Sequence, residues 1–135
     1  MALLVDTGVL YALADSDDAW HERVREYFQR GREVLLVPIT VTVEVAYLLR
    51  EHLSAQAEHQ FVASLAKGEL GVETLTAADW KRSVAVMGTY PNIGFVDASV
   101  VAVAERLRLR RIATTDRRHF HQVKPSHIEA FELVP

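Results

Sequence analysis

The sequence predicts an α/β fold: a three-layer α/β/α sandwich around a central parallel sheet of about five strands. Two observations lead there. Short apolar runs alternate along the chain with longer segments of helical periodicity. Strands separated by helices pair in parallel through right-handed crossovers. The length of 135 residues corresponds to one domain, spanning 1–135. A chain of that size buries roughly two-thirds of its unfolded surface and needs no staples.

Ala2–Val5 is apolar throughout and reads as a buried strand, and Val9–Ala14 as a short helix or turn. Asp18–Arg30 carries Trp20, Val24, Tyr27 and Phe28 at helical spacing among charges. It is an amphipathic helix, capped by Asp17 or Asp18 and ended by Gly31. Val34–Val37 is a second strand, closed by Pro38. Thr40–His52 is helical. Ser54 N-caps Ala55–Lys67, which stops at Gly68. Val72–Leu75 is a third strand, and Thr76 caps a helix over Ala77–Met87. Residues 88–94 form a loop, Phe95–Leu107 a helix, Arg111–Thr114 a fourth strand and Ile128–Leu133 a fifth. No repeat, linker or low-complexity tract interrupts this order.

Composition excludes several classes. Hydrophobic residues make up 50% and charged residues 24%, the balance of a folded globular chain. Lys and Arg number 15 against 18 Asp and Glu, a net charge of −3, so bulk charge does not mark a nucleic-acid binder. Cysteine is absent, which removes disulfides, thiolate metal sites and thiol nucleophiles. The first residues meet Asp6 after four apolar positions, with no basic leader, and no apolar window is long enough to cross a membrane. The expected compartment is the cytoplasm.

Four acids stand in apolar surroundings. Asp6 follows Ala-Leu-Leu-Val, Glu44 sits within Val37–Leu49, Asp97 within Ile93–Val103, and Asp116 follows Ile-Ala-Thr-Thr. An ionised carboxylate buried without a partner is costly. Each acid has an ordinary explanation taken alone. Asp6 fits a helix cap, Asp97 the favourable end of a helix dipole, Asp116 a turn, and Glu44 a salt bridge. A single explanation covers all four: convergence in one cleft, where a divalent cation offsets their repulsion. Asp6 and Asp116 follow strands one and four, where open parallel sheets bind ligands. Oxygen ligands point to Mg²⁺ or Mn²⁺, ions suited to phosphodiester hydrolysis.

From Arg106 to Lys124 there are seven Lys and Arg and one acid, Asp116. Arg117 and Arg118 flank that acid and are candidate phosphate contacts. His119 and His121 form His-x-His, but no carboxylate spacing supports zinc. Trp20, Trp80, Phe28, Tyr47 and Phe61 recur among aliphatics at helical spacing and read as core.

With these residues in view the chain resembles PIN-domain ribonucleases, most closely the VapC-type toxins of type II toxin–antitoxin pairs. The resemblance rests on Leu4-Val5-Asp6-Thr7, on Glu44, on Asp97-Ala98 and on Arg111–Phe120. It implies a PIN-like, five-stranded parallel sheet and a Mg²⁺- or Mn²⁺-dependent endoribonuclease leaving 5′-phosphate and 3′-hydroxyl ends. It assigns Asp6, Asp97 and Asp116 to the metal and Glu44 to a water or a second ion. Thr7 and Thr115 gain supporting roles as hydrogen-bond donors. Many members carry Asn or Ser where this chain has Gly8. The implied partners are RNA, a cognate VapB-type antitoxin and a second copy of the chain. The apolar faces of residues 40–52 and 55–67 are the candidate dimer surfaces.

Two other readings remain at this point. One is a metal- and RNA-binding module of the same fold without turnover. The other is a phospho-accepting receiver-type signalling domain, which wants its acceptor Asp after a middle strand and a late Lys. An aspartyl phosphatase would want a second Asp where Gly8 stands.

Overall fold

A computed structural model describes residues 2–135. Five strands, β1 (Ala2–Val5), β2 (Val34–Pro38), β3 (Gly71–Glu73), β4 (Arg111–Ala113) and β5 (Glu132–Val134), form one sheet in the order β3-β2-β1-β4-β5. Every pairing is parallel. The order runs outward from β1 to β3, then reverses past β1 to β4 and β5. Because parallel crossovers are right-handed, the reversal sends the later helices to the opposite face. Three layers result. A receiver domain has the order 2-1-3-4-5, so the observed order removes that alternative.

The connecting helices are α1 (Thr7–Ala14), α2 (His21–Arg30), α3 (Ile39–His52), α4 (Ala55–Ala66), α5 (Ala77–Thr89), α6 (Phe95–Arg106) and α7 (Arg117–Gln122). Helix α1 packs on α2 and α3, α3 on α4, and α5 on α6. Residues 98–104 of α6 are all buried. A helix apolar on every side belongs inside the fold. Its run of valines, poor helix formers, is held by that burial rather than by propensity. Strand residues Leu3, Leu4, Val5, Val37, Ile112 and Ala113 complete the centre of the core.

Local signals place several ends correctly. The Ser54 hydroxyl accepts from the Ala57 amide at 3.0 Å. Thr76 and Asp79 exchange hydrogen bonds at 3.0 and 3.1 Å, a capping box at the start of α5. Asp79 then holds Arg106 of α6 at 3.0 Å, and Arg82 pairs with Glu105 at 2.6 Å, so two ion pairs lace α5 to α6.

Elsewhere the structure departs from expectation. Helix α2 begins at His21, because Asp15 and Asp18 accept amides two residues on and form turns instead of capping it. Helix α5 continues through Gly88 to Thr89. Strand β3 lies at Gly71–Glu73 and β5 at Glu132–Val134, each set by its partner's register: Val37 opposes Val72, and Ile112 opposes Leu133. Helix α7 is an addition to the elements expected from sequence. Trp80 and Tyr47, expected in the core, are exposed at 54% and 60%.

Leu4 sits on the central strand and is fully buried. Leu4→Ala should lower unfolding free energy by about 2–5 kcal/mol in urea titrations, whereas Val34→Ala, at the exposed start of β2, should cost less than about 0.5 kcal/mol.

Candidate active site

Order reversal at β1 opens a crevice between the carboxyl ends of β1 and β4, the place where such sheets take ligands. Asp6 is the first residue beyond β1. Its amide donates to the Ala113 carbonyl at 2.9 Å, which pins it to the end of β4. Although Asp6 occupies the N-cap position of α1, its side chain makes no capping bond. It turns into the crevice instead. There its Oδ2 accepts from the Thr114 hydroxyl at 3.0 Å, and the Thr114 oxygen accepts from the Asp116 amide at 2.9 Å. One buried threonine therefore fixes both strand-end acids.

The other two acids come from helices. Glu44 lies in the second turn of α3 and Asp97 in the first turn of α6. The Ser99 hydroxyl donates to the Val96 carbonyl at 2.6 Å, which leaves its oxygen to accept from Thr40, also at 2.6 Å. That bond ties the two helices together beside the acids they carry. Asp6, Glu44, Asp97 and Asp116 all line one cleft of about 430 Å³, with Thr7, Gly8 and Thr115 on its walls.

Gathering carboxylates this way shifts their proton affinity. Burial pushes Asp6 up from 3.8 to about 7, Asp97 and, less strongly, Glu44 add to the rise, and the nearby Thr7 main-chain amide and the Thr114 hydroxyl oppose it. Burial likewise raises Asp97, against the hydrogen bond from His119. The His119 Nδ1 stands 2.9 Å from Asp97 Oδ2 and 2.7 Å from Asp116 Oδ2. Asp6 Oδ1 and the Thr7 hydroxyl are buried without a hydrogen-bond partner. Unpartnered buried oxygens beside repelling carboxylates fit a divalent cation, for which hard oxygen donors are the natural set.

The remaining candidates divide. Thr7 and Thr115 reach the cleft. A Cβ built on Gly8 would collide with the Thr115 hydroxyl, so glycine at position 8 is what lets Thr115 turn inward. Arg117 and Arg118 do not line the cleft. The Arg117 guanidinium donates to the Pro135 main-chain oxygen, and Arg118 is exposed. Within the basic run, Arg106 pairs with Asp79 and Glu73, and Arg111 with Glu33. Two contributors carry no clear signal in the sequence. Thr114, like its neighbour Thr115 a plain threonine in sequence, is the one that bonds Asp6 and the Asp116 amide. His119 stood without a carboxylate partner, since its place three residues after Asp116 acquires meaning only on a helix. The expected core residue Trp80 stacks instead on Phe95, with ring centroids 5.1 Å apart, and Phe95 lines the cleft.

Residues 3–124 match the PIN domain family. The chain belongs to the PIN-domain family. It is 30% identical over 135 residues to Ribonuclease VapC26 of Mycobacterium tuberculosis, covering 98% of this chain and all of that one. In solved structures it is similar to Mycobacterium tuberculosis VapC20, a sarcin–ricin loop cleaving toxin, with a TM-score of 0.81, 22% identity, and coverage of 87% of this chain and 92% of that one. It is also similar to a chain of VapBC2 from Rickettsia felis, bound to a DNA fragment from their promoter, with a TM-score of 0.72, 11% identity and full coverage of both chains. A PIN domain with these VapC relatives is a nuclease, a hydrolase of phosphodiester bonds. Among the described residues no helix is long and apolar enough to cross a membrane.

Two outcomes follow from this geometry. A carboxyl group whose folded pKa lies above its unfolded value stabilises the fold at low pH, and that stability is lost as pH rises from 3.8 through about 7. In EDTA, Asp6→Asn should therefore raise unfolding free energy at pH 8, by at most about 4 kcal/mol, and change it little at pH 4, as read by urea titration. Gly8→Ala should destabilise the protein, and adding Thr115→Ala should restore most of the loss in a double-mutant cycle followed by thermal melting.

Proposed function

We propose that this PIN domain is a divalent-metal-dependent endoribonuclease acting as the toxin of a toxin–antitoxin pair. The observation that carries the reading is the convergence of Asp6, Glu44, Asp97 and Asp116 on one cleft, with a buried oxygen of Asp6 left unpartnered. Likeness to VapC26, whose name is ribonuclease, supports RNA as the substrate.

Asp6, Asp97 and Asp116 hold the cation in this reading. When bound, it polarises the scissile phosphate and makes water a better nucleophile. The chain's own residues do the rest. Asp6 is kept in place by Thr114 and by its amide bond to β4. Glu44, facing the same cleft from α3, orients the attacking water and accepts its proton. Thr7 and Thr115 bring hydroxyls to the cleft wall and steady a carboxylate or a water. Arg118, exposed beside Asp116, contacts a flanking phosphate, whereas Arg117 must first leave Pro135.

The VapBC complex among the similar structures supports a VapB-type antitoxin as partner. A second copy of the chain is supported by apolar side chains left outside. Val43 and Tyr47 are exposed on α3, and Trp80, Val84 and Met87 form a stripe on α5. Helix α4, the other surface expected from sequence, exposes only Val62 among its large apolar residues.

Purified protein should cut RNA in Mg²⁺ or Mn²⁺ and stop in excess EDTA. Asp6→Ala and Asp97→Ala should each reduce cleavage by at least about 10³-fold with an unchanged circular dichroism spectrum. Metal-independent cleavage, or cleavage by either variant at the wild-type rate, would defeat the reading.

A further inference from the structure

The acids of the cleft are not its only donor atoms. Asp97 Oδ2, Asp116 Oδ2 and His119 Nδ1 lie within 4.8 Å of one another, on α6, at the N-cap of α7 and in its first turn. Neighbouring ligands of an octahedral ion with bonds of about 2.1 Å stand about 3 Å apart. The two imidazole-to-carboxylate separations, 2.9 and 2.7 Å, are close to that spacing. So two of the three edges match those of one face of a coordination octahedron, and the third atom pair lies within 4.8 Å. On the same cleft, Oδ1 of buried Asp6 has no hydrogen-bond partner and is a further oxygen donor for a cation.

The position of His119 is built rather than incidental. Asp116 Oδ1 accepts the His119 amide at 3.2 Å, which starts α7 and turns the ring of residue 119 back toward the cap. Phe120, the next residue, is buried and anchors the short helix. The ring is half-buried, and its Nδ1, not its outer edge, faces both carboxylates. Without a cation, an Nδ1–H shared between the two carboxylates satisfies them. As a ligand, Nδ1 would offer its lone pair, with the ring N–H placed on Nε2.

We infer that His119 is a nitrogen ligand at the Asp97–Asp116 pole of the cleft, and that this pole takes a transition-metal divalent cation in preference to Mg²⁺. Mg²⁺ keeps oxygen ligands and its own waters, whereas imidazole adds affinity for the first-row transition ions. This rests on the metal-dependent reading above and goes beyond it, naming a ligand and the class of ion it selects.

The test uses Mn²⁺ as the probe. Binding is followed by the loss of the free-ion electron paramagnetic resonance signal, and the ligand type by electron spin-echo modulation from ¹⁴N. Wild-type protein should bind Mn²⁺ with directly coordinated nitrogen, and the exposed neighbour variant His121→Ala should keep that signature. His119→Gln, which can still donate a hydrogen bond to the carboxylates, should lose the nitrogen modulation and about tenfold in Mn²⁺ affinity. Its Mg²⁺ affinity, measured by competition, should change less than about twofold. Circular dichroism confirms the fold of each variant. Bound Mn²⁺ without nitrogen modulation overturns the inference and leaves the metal-dependent reading standing. So does an equal loss of both ions in His119→Gln, which would make His119 a positioning residue. Failure of wild-type protein to bind either ion, with cleavage unaffected by EDTA, defeats both.

Discussion

The short parallel ladder between β1 and β4 is the constraint on which the rest depends. Only two register pairs, Leu4 with Ile112 and Val5 with Ala113, join these strands. They are the innermost pairs of the sheet and lie where its order reverses. The chain leaves both strands at the same edge, so Asp6 and the Thr114–Asp116 segment emerge side by side although they are far apart in sequence. The Asp6 amide bond to Ala113 carries the pairing one residue further, into the cleft itself. A slip of one residue in this register would turn Asp6 away from Thr114.

Holding acids together opposes folding, and the surroundings show what offsets it. Helix α6 brings Asp97 to the cleft at its first turn and then runs through seven consecutive buried residues. Apolar burial of that extent supplies far more than one raised carboxyl group removes. The Thr40–Ser99 bond and the Thr114 bridge add direction rather than much energy, because a neutral hydrogen bond contributes only about 1 kcal/mol net. The cleft is thus a locally unfavourable arrangement carried by a favourable scaffold, the pattern expected where a binding site is kept ready.

Legibility in the sequence followed range. Strands β1 and β2 and the caps Ser54 and Thr76 depend on neighbours a few residues away, and periodicity or cap chemistry revealed them. Glu44 and Asp97 stand out because a carboxylate among valines and leucines is costly to bury, and one shared cleft explains them together with Asp6 and Asp116. Strand β5 was placed too early, since its bounds are set by pairing with β4 and not by its own composition. Helix α7 has six residues, five of them polar or charged, and gives no helical period. Missing α7 hid His119, whose partners lie on another helix and at a cap. Trp80 and Tyr47 look like core residues in sequence because they fall at helical spacing with aliphatics, yet the packing of α5 and α3 turns them outward.

The engagement of arginines in the fold has a consequence for how this surface meets a polyanion. Arg82, Arg106 and Arg111 each pair with internal carboxylates, and Arg117 is bonded to the main chain. Side chains already neutralised displace few counterions when a phosphate backbone arrives, so these four add little to the ionic-strength dependence of association. Long-range attraction from the basic run then rests on its remaining exposed members, Arg108, Arg110, Arg118 and Lys124, and discrimination falls to the contour of the surface around the cleft.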